Sequence, residues 1–252
     1  MLHLIGLGLF DEQDISLKAL EALKKSDRVY AELYTNFYHG DLKKLEELCG
    51  KKITVLGRSD VEENPTEIIL KDAREKEIAF LVAGDPMVAT THIDLALRAR
   101  KKGIKVKVIH SSSIYSAIAE TGLQAYKFGK TTSIVYPEEK YFPETPYDAL
   151  KDNLEMGLHT LCLLDVKADE ERYMTVAEGI QTLLKIGEKR KDRVFTEDTL
   201  CVGAARLGGD SLINYGKARD LMKIDFGKPP HILIVPAKLH FMEEEALDSL
   251  PD

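Results

Sequence analysis

Residues 2–10, LHLIGLGLF, set the fold class: an apolar strand pattern runs straight into a Gly-x-Gly turn, and Asp11, Glu12 and Asp14 lead into a helical pattern. A strand, a glycine turn and a helix in that order are how nucleotide-binding α/β sheets begin. The dinucleotide fingerprint uses three glycines, for the tight turn, for backbone approach to a pyrophosphate and for helix packing. Gly6 and Gly8 fill the first two places, whereas the third falls on Asp11. A carboxylate there suits the start of a helix but repels phosphate. The expected ligand is therefore one without phosphate; the competing reading is a plain strand-to-helix turn.

Outward from this opening, strand and helix patterns alternate up to about His110, as in a mostly parallel sheet covered by helices. Leu17, Leu20 and Leu23 predict a helix with that leucine face inward, capped by Asp14 or Ser16, and Leu42, Leu45 and Leu48 predict another that stops at Gly50. Strands are expected at residues 27–31 and 53–56, and Asn64-Pro65 reads as the cap and first turn of a further helix. IAFLVA at 78–83 is apolar throughout, the pattern of a strand buried on both faces, and ends at Gly84-Asp85-Pro86. A helix follows over 91–102, and Ile104, Val106 and Val108 alternate with Lys105 and Lys107, an edge-strand pattern.

The character changes over 111–130, so the chain is divided into an N-terminal α/β domain, 1–111, and a C-terminal α/β domain with a mixed sheet, 112–252. Strands are expected at 133–136, 160–165, 200–204 and 231–235, with a capping box at Thr175 and Glu178 opening a helix. The acidic segment from Phe241 is expected to fray.

Composition narrows the function. A net charge of −7 lacks the basic excess of a nucleic-acid binder. Cys49, Cys162 and Cys201 are isolated, without metal-ligand or disulfide spacing, and fit a reducing cytoplasm. No apolar stretch approaches a membrane span, and no signal-peptide pattern opens the chain. The seven histidines show no zinc-site spacing, and neither a nucleophile elbow nor a phosphate loop is present.

The remaining candidates lie at strand ends, where ligands bind in open α/β sheets. Asp85 either accepts hydrogen bonds from a ligand or caps its own turn, and small residues follow at Ala89, Thr90 and Thr91. Ser113 either faces a ligand or caps a helix, and Asp165 either holds a cation or is an ordinary strand-end carboxylate. Arg206-Leu207-Gly208-Gly209 forms a second glycine turn or a simple hairpin. The pair Pro229-Pro230 holds His231 in place, for a structural role or for a ligand.

Four stretches together, IGLGLFDEQDIS (5–16), FLVAGDPMVATTH (80–92), HSSSIYSAIAETGLQAYKFGKTTSIVYPE (110–138) and DFGKPPHILIVP (225–236), resemble the class III, tetrapyrrole-methylase-type methyltransferases. Within them the chain is most similar to the diphthine synthase family. The wider family opens with Gly-x-Gly-Pro-Gly; Leu9 and Phe10 replace the last two residues here, as they do in that branch. The resemblance implies two α/β domains with S-adenosyl-L-methionine in the cleft between them, and a cytoplasmic homodimer. Carried over by position, the cosubstrate contacts are Leu9, Asp85, Val88, Ser113, Ile114, Leu164, Leu207 and His231. The implied reaction is methylation, to a trimethylammonium, of the amino group of the modified histidine of translation elongation factor 2. It releases S-adenosyl-L-homocysteine and makes diphthine. No metal, nucleic acid or membrane is implied, and no catalytic side chain is picked out. A tetrapyrrole or corrinoid methyltransferase and a non-catalytic nucleoside-binding module are the alternatives.

Overall fold

The opening run forms strand β1 (Leu2–Gly6), buried at all five positions, and IAFLV forms β4 (Ile78–Val82), equally buried. With β2 (Arg28–Glu32), β3 (Ile53–Leu56) and β5 (Val106–Ile109) they make one sheet in the order β3-β2-β4-β1-β5, parallel throughout. The two continuous apolar runs occupy neighbouring inner places because both their faces are covered. The lysine-alternating β5 takes an edge, with Lys105 and Lys107 exposed. In the computed structural model, residues 1–138 and 141–250 are described. The chain divides into two units, Met1–Tyr115 and Ser116–Asp252.

The helices of the first unit form where their caps predict, but two leucine faces differ from expectation. Helix α1 (Leu17–Lys25) is capped by Ser16, and α2 (Leu42–Cys49) stops at Gly50 in the left-handed conformation. Leu17 is 81% exposed and Leu48 is exposed too, whereas Ala19, Leu23, Leu45 and Cys49 are buried. A spacing of three residues drifts about 60° round a helix at each step, so the core face follows the i, i+4 pairs instead. At Asn64 a helical segment does begin, as expected, with Asn64 O accepting from the N–H groups of Glu67 and Ile68 at 3.2 and 3.3 Å, but it is short and does not reach Ala73. The short helix α3 (Arg58–Glu62) precedes Asn64, whose N–H bonds back to Ser59 O, and Thr66–Leu70 continues as a single wide π turn. Helices α4 (His92–Lys101) and α5 (Ile114–Ala117) follow β4 and β5.

The second unit is a mixed sheet. Its strands are β6 (Thr132–Ile134), β7 (Thr160–Leu164), β10 (Leu200–Ala205), β11 (Leu212–Lys217) and β12 (His231–Val235), in the order β11-β10-β12-β7-β6. Among its described strands only β6 and β7 run parallel. A two-stranded ribbon, β8 (Val166–Lys167) with β9 (Arg172–Tyr173), extends from β7. Helices α6 (Thr145–Glu155), α7 (Val176–Arg190) and α8 (Ala218–Leu221) complete the unit, and α7 starts on the Thr175–Glu178 capping box. Its core gathers Tyr147, Leu183, Ile186, Cys201 and Leu233.

The acidic tail does not fray. It folds as α9 (Phe241–Asp248), held by Glu243, whose side chain is fully buried. Its carboxylate accepts from the N–H groups of Gln124 at 2.9 Å and His240 at 2.8 Å, from His159 Nε2 at 3.0 Å, and from Lys127 Nζ at 2.5 Å. One acidic residue among four others reads as solvated in the sequence; burial with four donors makes it the anchor of the helix. No helix among the described residues is long and apolar enough to cross a membrane.

Candidate functional site

The connections from β1 and β4 leave in opposite directions, to β2 on one side and to β5 on the other, so the carboxyl ends of these neighbours form a switch point. Gly6 and Gly8 shape that edge, with their roles exchanged relative to the sequence reading. Gly8 makes the turn, at φ +93°, and Gly6 supplies the close approach: a β-carbon there would lie 2.5 Å from Gly84 O and 2.7 Å from Ser111 Cβ. Gly8 and Gly84 exchange backbone hydrogen bonds of 3.3 and 2.7 Å. What approaches this backbone is the loops after β4 and β5. The acids that follow cap their own turn, since Asp14 Oδ2 accepts from Phe10 N–H at 2.6 Å and Asp11 Oδ1 from Gln13 N–H at 2.9 Å. Lys44 and the Asp41 N–H, both bonded to Glu12, hold that buried carboxyl down to about 2.

Asp85 lies at the same edge, 5% exposed. Oδ1 accepts from Met87 N–H at 2.9 Å, and Oδ2 from Ser111 N–H at 3.1 Å and His110 Nδ1 at 2.9 Å. The turn-capping reading is therefore the observed state of this side chain, which pins the loop after β4 to the loop after β5. Of about four lone-pair directions on a carboxylate, three are used. Leu9, Val88 and Ile114 are half-buried at the same strand ends, and Ser113 is buried beside them in sequence.

In the second unit the register decides the arrangement. Ala205 faces His231, and Leu163 faces Ile232, in antiparallel pairs. The carboxyl ends of β7 and β10 thus meet the amino end of β12, and Leu164, Leu207 and His231 share one edge of the sheet. Arg206-Leu207-Gly208-Gly209 is the start of the hairpin loop between β10 and β11, with Leu207 buried. Asp165 accepts from Tyr136 N–H at 3.0 Å.

The family of Tetrapyrrole (Corrin/Porphyrin) Methylases matches residues 1–208. The diphthine synthase of Methanocaldococcus jannaschii is 56% identical over 99% of this chain and 98% of its own length, and that of Methanococcus maripaludis is 56% identical with the same coverage. A crystal structure of a diphthine synthase superposes with a TM-score of 0.90 at 39% identity, covering 100% of this chain and 96% of the other. The chain belongs to the diphthine synthase family.

In this diphthine synthase-family chain the most telling single atom is His231 Nδ1. His231 Nε2 lies 3.1 Å from both Gly227 O and Lys228 O, so it carries the proton and donates to them. Nδ1 is then an acceptor, and it is buried with no partner among the described residues. Burial lowers the pKa of this ring, against the opposing effect of the two carbonyls, and keeps it neutral near pH 7. Arg206 steadies the same segment by donating to Phe226 O at 2.6 Å and Lys228 O at 2.7 Å.

Four residues at these edges escape the sequence reading. His110 carries no spacing signal, and only its contact with Asp85 singles it out. Arg206 reads as a loop residue, with nothing to indicate that it braces a segment 20 residues on. Glu32, at the carboxyl end of β2, and His92, at the start of α4, form a buried pair 3.6 Å apart. Burial raises the Glu32 pKa and lowers that of His92 to about 4.

Proposed function

We propose that the protein transfers methyl groups from S-adenosyl-L-methionine to the amino group of the modified histidine of translation elongation factor 2, three times over, making diphthine in diphthamide biosynthesis. The observation that carries this reading is 56% identity to diphthine synthases across nearly the whole chain. The proposed contacts are Leu9, Asp85, Val88, Ser113 and Ile114 in the first unit and Leu164, Leu207 and His231 in the second. The residues suit such a ligand: Leu9, Val88 and Ile114 in the first unit and Leu164 and Leu207 in the second are apolar, and His231 Nδ1, which has no partner among the described residues, is an acceptor for a ligand N–H or O–H.

When bound, S-adenosyl-L-methionine supplies a methyl carbon already activated by the sulfonium charge. The chain then has to hold amine and methyl in line, keep water away and take up a proton; positioning of this kind accounts for a large part of such rate enhancements. Asp85 places a negative charge at the edge where a sulfonium would be favoured, and its fourth lone pair is open to a hydroxyl or amine. No step calls for a nucleophilic side chain, and the buried thiols of Cys162 and Cys201, pushed up by burial, are neutral.

Incubation with methyl-labelled S-adenosyl-L-methionine and elongation factor 2 carrying the diphthamide precursor tests the reading. Label on the factor is expected; its absence refutes the assignment. We further propose that the protein works as a cytoplasmic homodimer, for which sedimentation equilibrium gives twice the 28.3 kDa chain mass.

A further inference from the structure

An amine at neutral pH is largely an ammonium and offers no lone pair until it gives up a proton. Three transfers therefore need three proton losses. His110 directly follows β5 at the carboxyl edge of the first sheet, and its side chain is 71% exposed, whereas that of Asp85 is 5% exposed. His110 Nδ1 lies 2.9 Å from Asp85 Oδ2. The carboxylate is itself fixed by the N–H groups of Met87 and Ser111, one on each oxygen. A carboxylate accepting from Nδ1–H keeps that proton on Nδ1, leaves the lone pair on Nε2 and stabilises the imidazolium once formed. An incidental surface contact joins two exposed side chains; here the acid is buried and pinned, and only the imidazole faces out.

The other histidines are engaged elsewhere. His3 pairs with Glu77 at the amino end of β1, His39 stacks on Phe10, and His92 is buried. His159 is buried against Glu243, His231 is held by two carbonyls, and His240 caps α9.

We propose that His110 is the proton acceptor for methyl transfer and that Asp85 orients it; this rests on the reading of the reaction as amine methylation. His110 Nε2 takes the N–H proton of the acceptor ammonium. The freed nitrogen lone pair forms the N–C bond as the C–S bond breaks, with that electron pair remaining on sulfur. The imidazolium returns its proton to water before the next transfer.

His110→Ala and His110→Gln test the assignment with the full protein and its elongation-factor substrate. Both variants are expected to lose about 100-fold or more in kcat, while the Kd for S-adenosylhomocysteine, measured by calorimetry, stays at the wild-type value. Added imidazole restores turnover to H110A. Wild-type kcat in H110A, or a defect that imidazole does not relieve, overturns the proposal. Wild-type protein that places no label on the factor fails the functional reading itself, and this inference with it; a labelling wild type with fully active H110A fails only the inference.

Discussion

His231 has one ring nitrogen satisfied by two carbonyls and the other buried with no partner among the described residues, and an unsatisfied buried polar group costs about 1–3 kcal/mol. A ligand donor delivered to Nδ1 recovers that cost. His231→Ala is accordingly expected to raise the Kd for S-adenosylhomocysteine by roughly 10-fold, about 1.4 kcal/mol; unchanged affinity by calorimetry places the ligand elsewhere. Asp85 shows what a sequence conceals at this scale. Its position after an apolar strand is legible, and both its readings are, but its partners His110 and Ser111 lie 25 and 26 residues away. The two glycines are legible as a turn, yet which of them turns and which permits close approach depends on Gly84 and Ser111, which the local pattern does not contain.

Among the elements, α9 carries the sharpest expectation. Burial opposes ionisation of Glu243, but bonds from His240 N–H, Lys127, Gln124 N–H and His159 outweigh it and hold its carboxyl at about 2, against an ordinary 4.5. The unfolded chain thus binds this proton first. The stabilisation is complete above about pH 4.5 and is lost as pH falls toward 2. Glu243→Ala, which strips one partner from a buried charged network, is expected to cost about 3–5 kcal/mol at pH 7 in urea unfolding. Glu243→Gln is expected to lie below wild type at pH 7, with the difference shrinking as the pH is lowered; a constant difference contradicts the role given to its charge. Strand positions were legible in the sequence where a buried strand needs an apolar run, as in β4 and β12; β3 also falls on the expected residues, though only Ile53 and Leu56 of it are buried. Helix faces were less so. Leucines three apart look like a stripe in α1 and α2, but the core selects the i, i+4 pairs Ala19–Leu23 and Leu45–Cys49.

For the whole molecule, a ligand that binds only the folded protein raises its unfolding temperature. S-adenosylhomocysteine at about 100 times its Kd adds about 2.7 kcal/mol. A clear rise in Tm with S-adenosylhomocysteine and none with NAD is expected in calorimetric scans. The reverse order would favour a dinucleotide enzyme despite Asp11.

The sequence by itself determined a parallel α/β unit followed by a mixed one, the glycine turn that opens the chain, and the family motifs from Gly6 to His231. Apolar periodicity, caps and turn residues act within a few positions of themselves, so they are written locally. Tertiary structure alone decided that β4, β1 and β5 stand side by side, that antiparallel register brings Leu164, Leu207 and His231 to one sheet edge, that Asp85 holds His110, and that Glu243 anchors the tail. Strand order and the pairing of buried charges are settled by partners as far as 119 residues apart, whose mutual burial and hydrogen bonding exist only once the chain has folded.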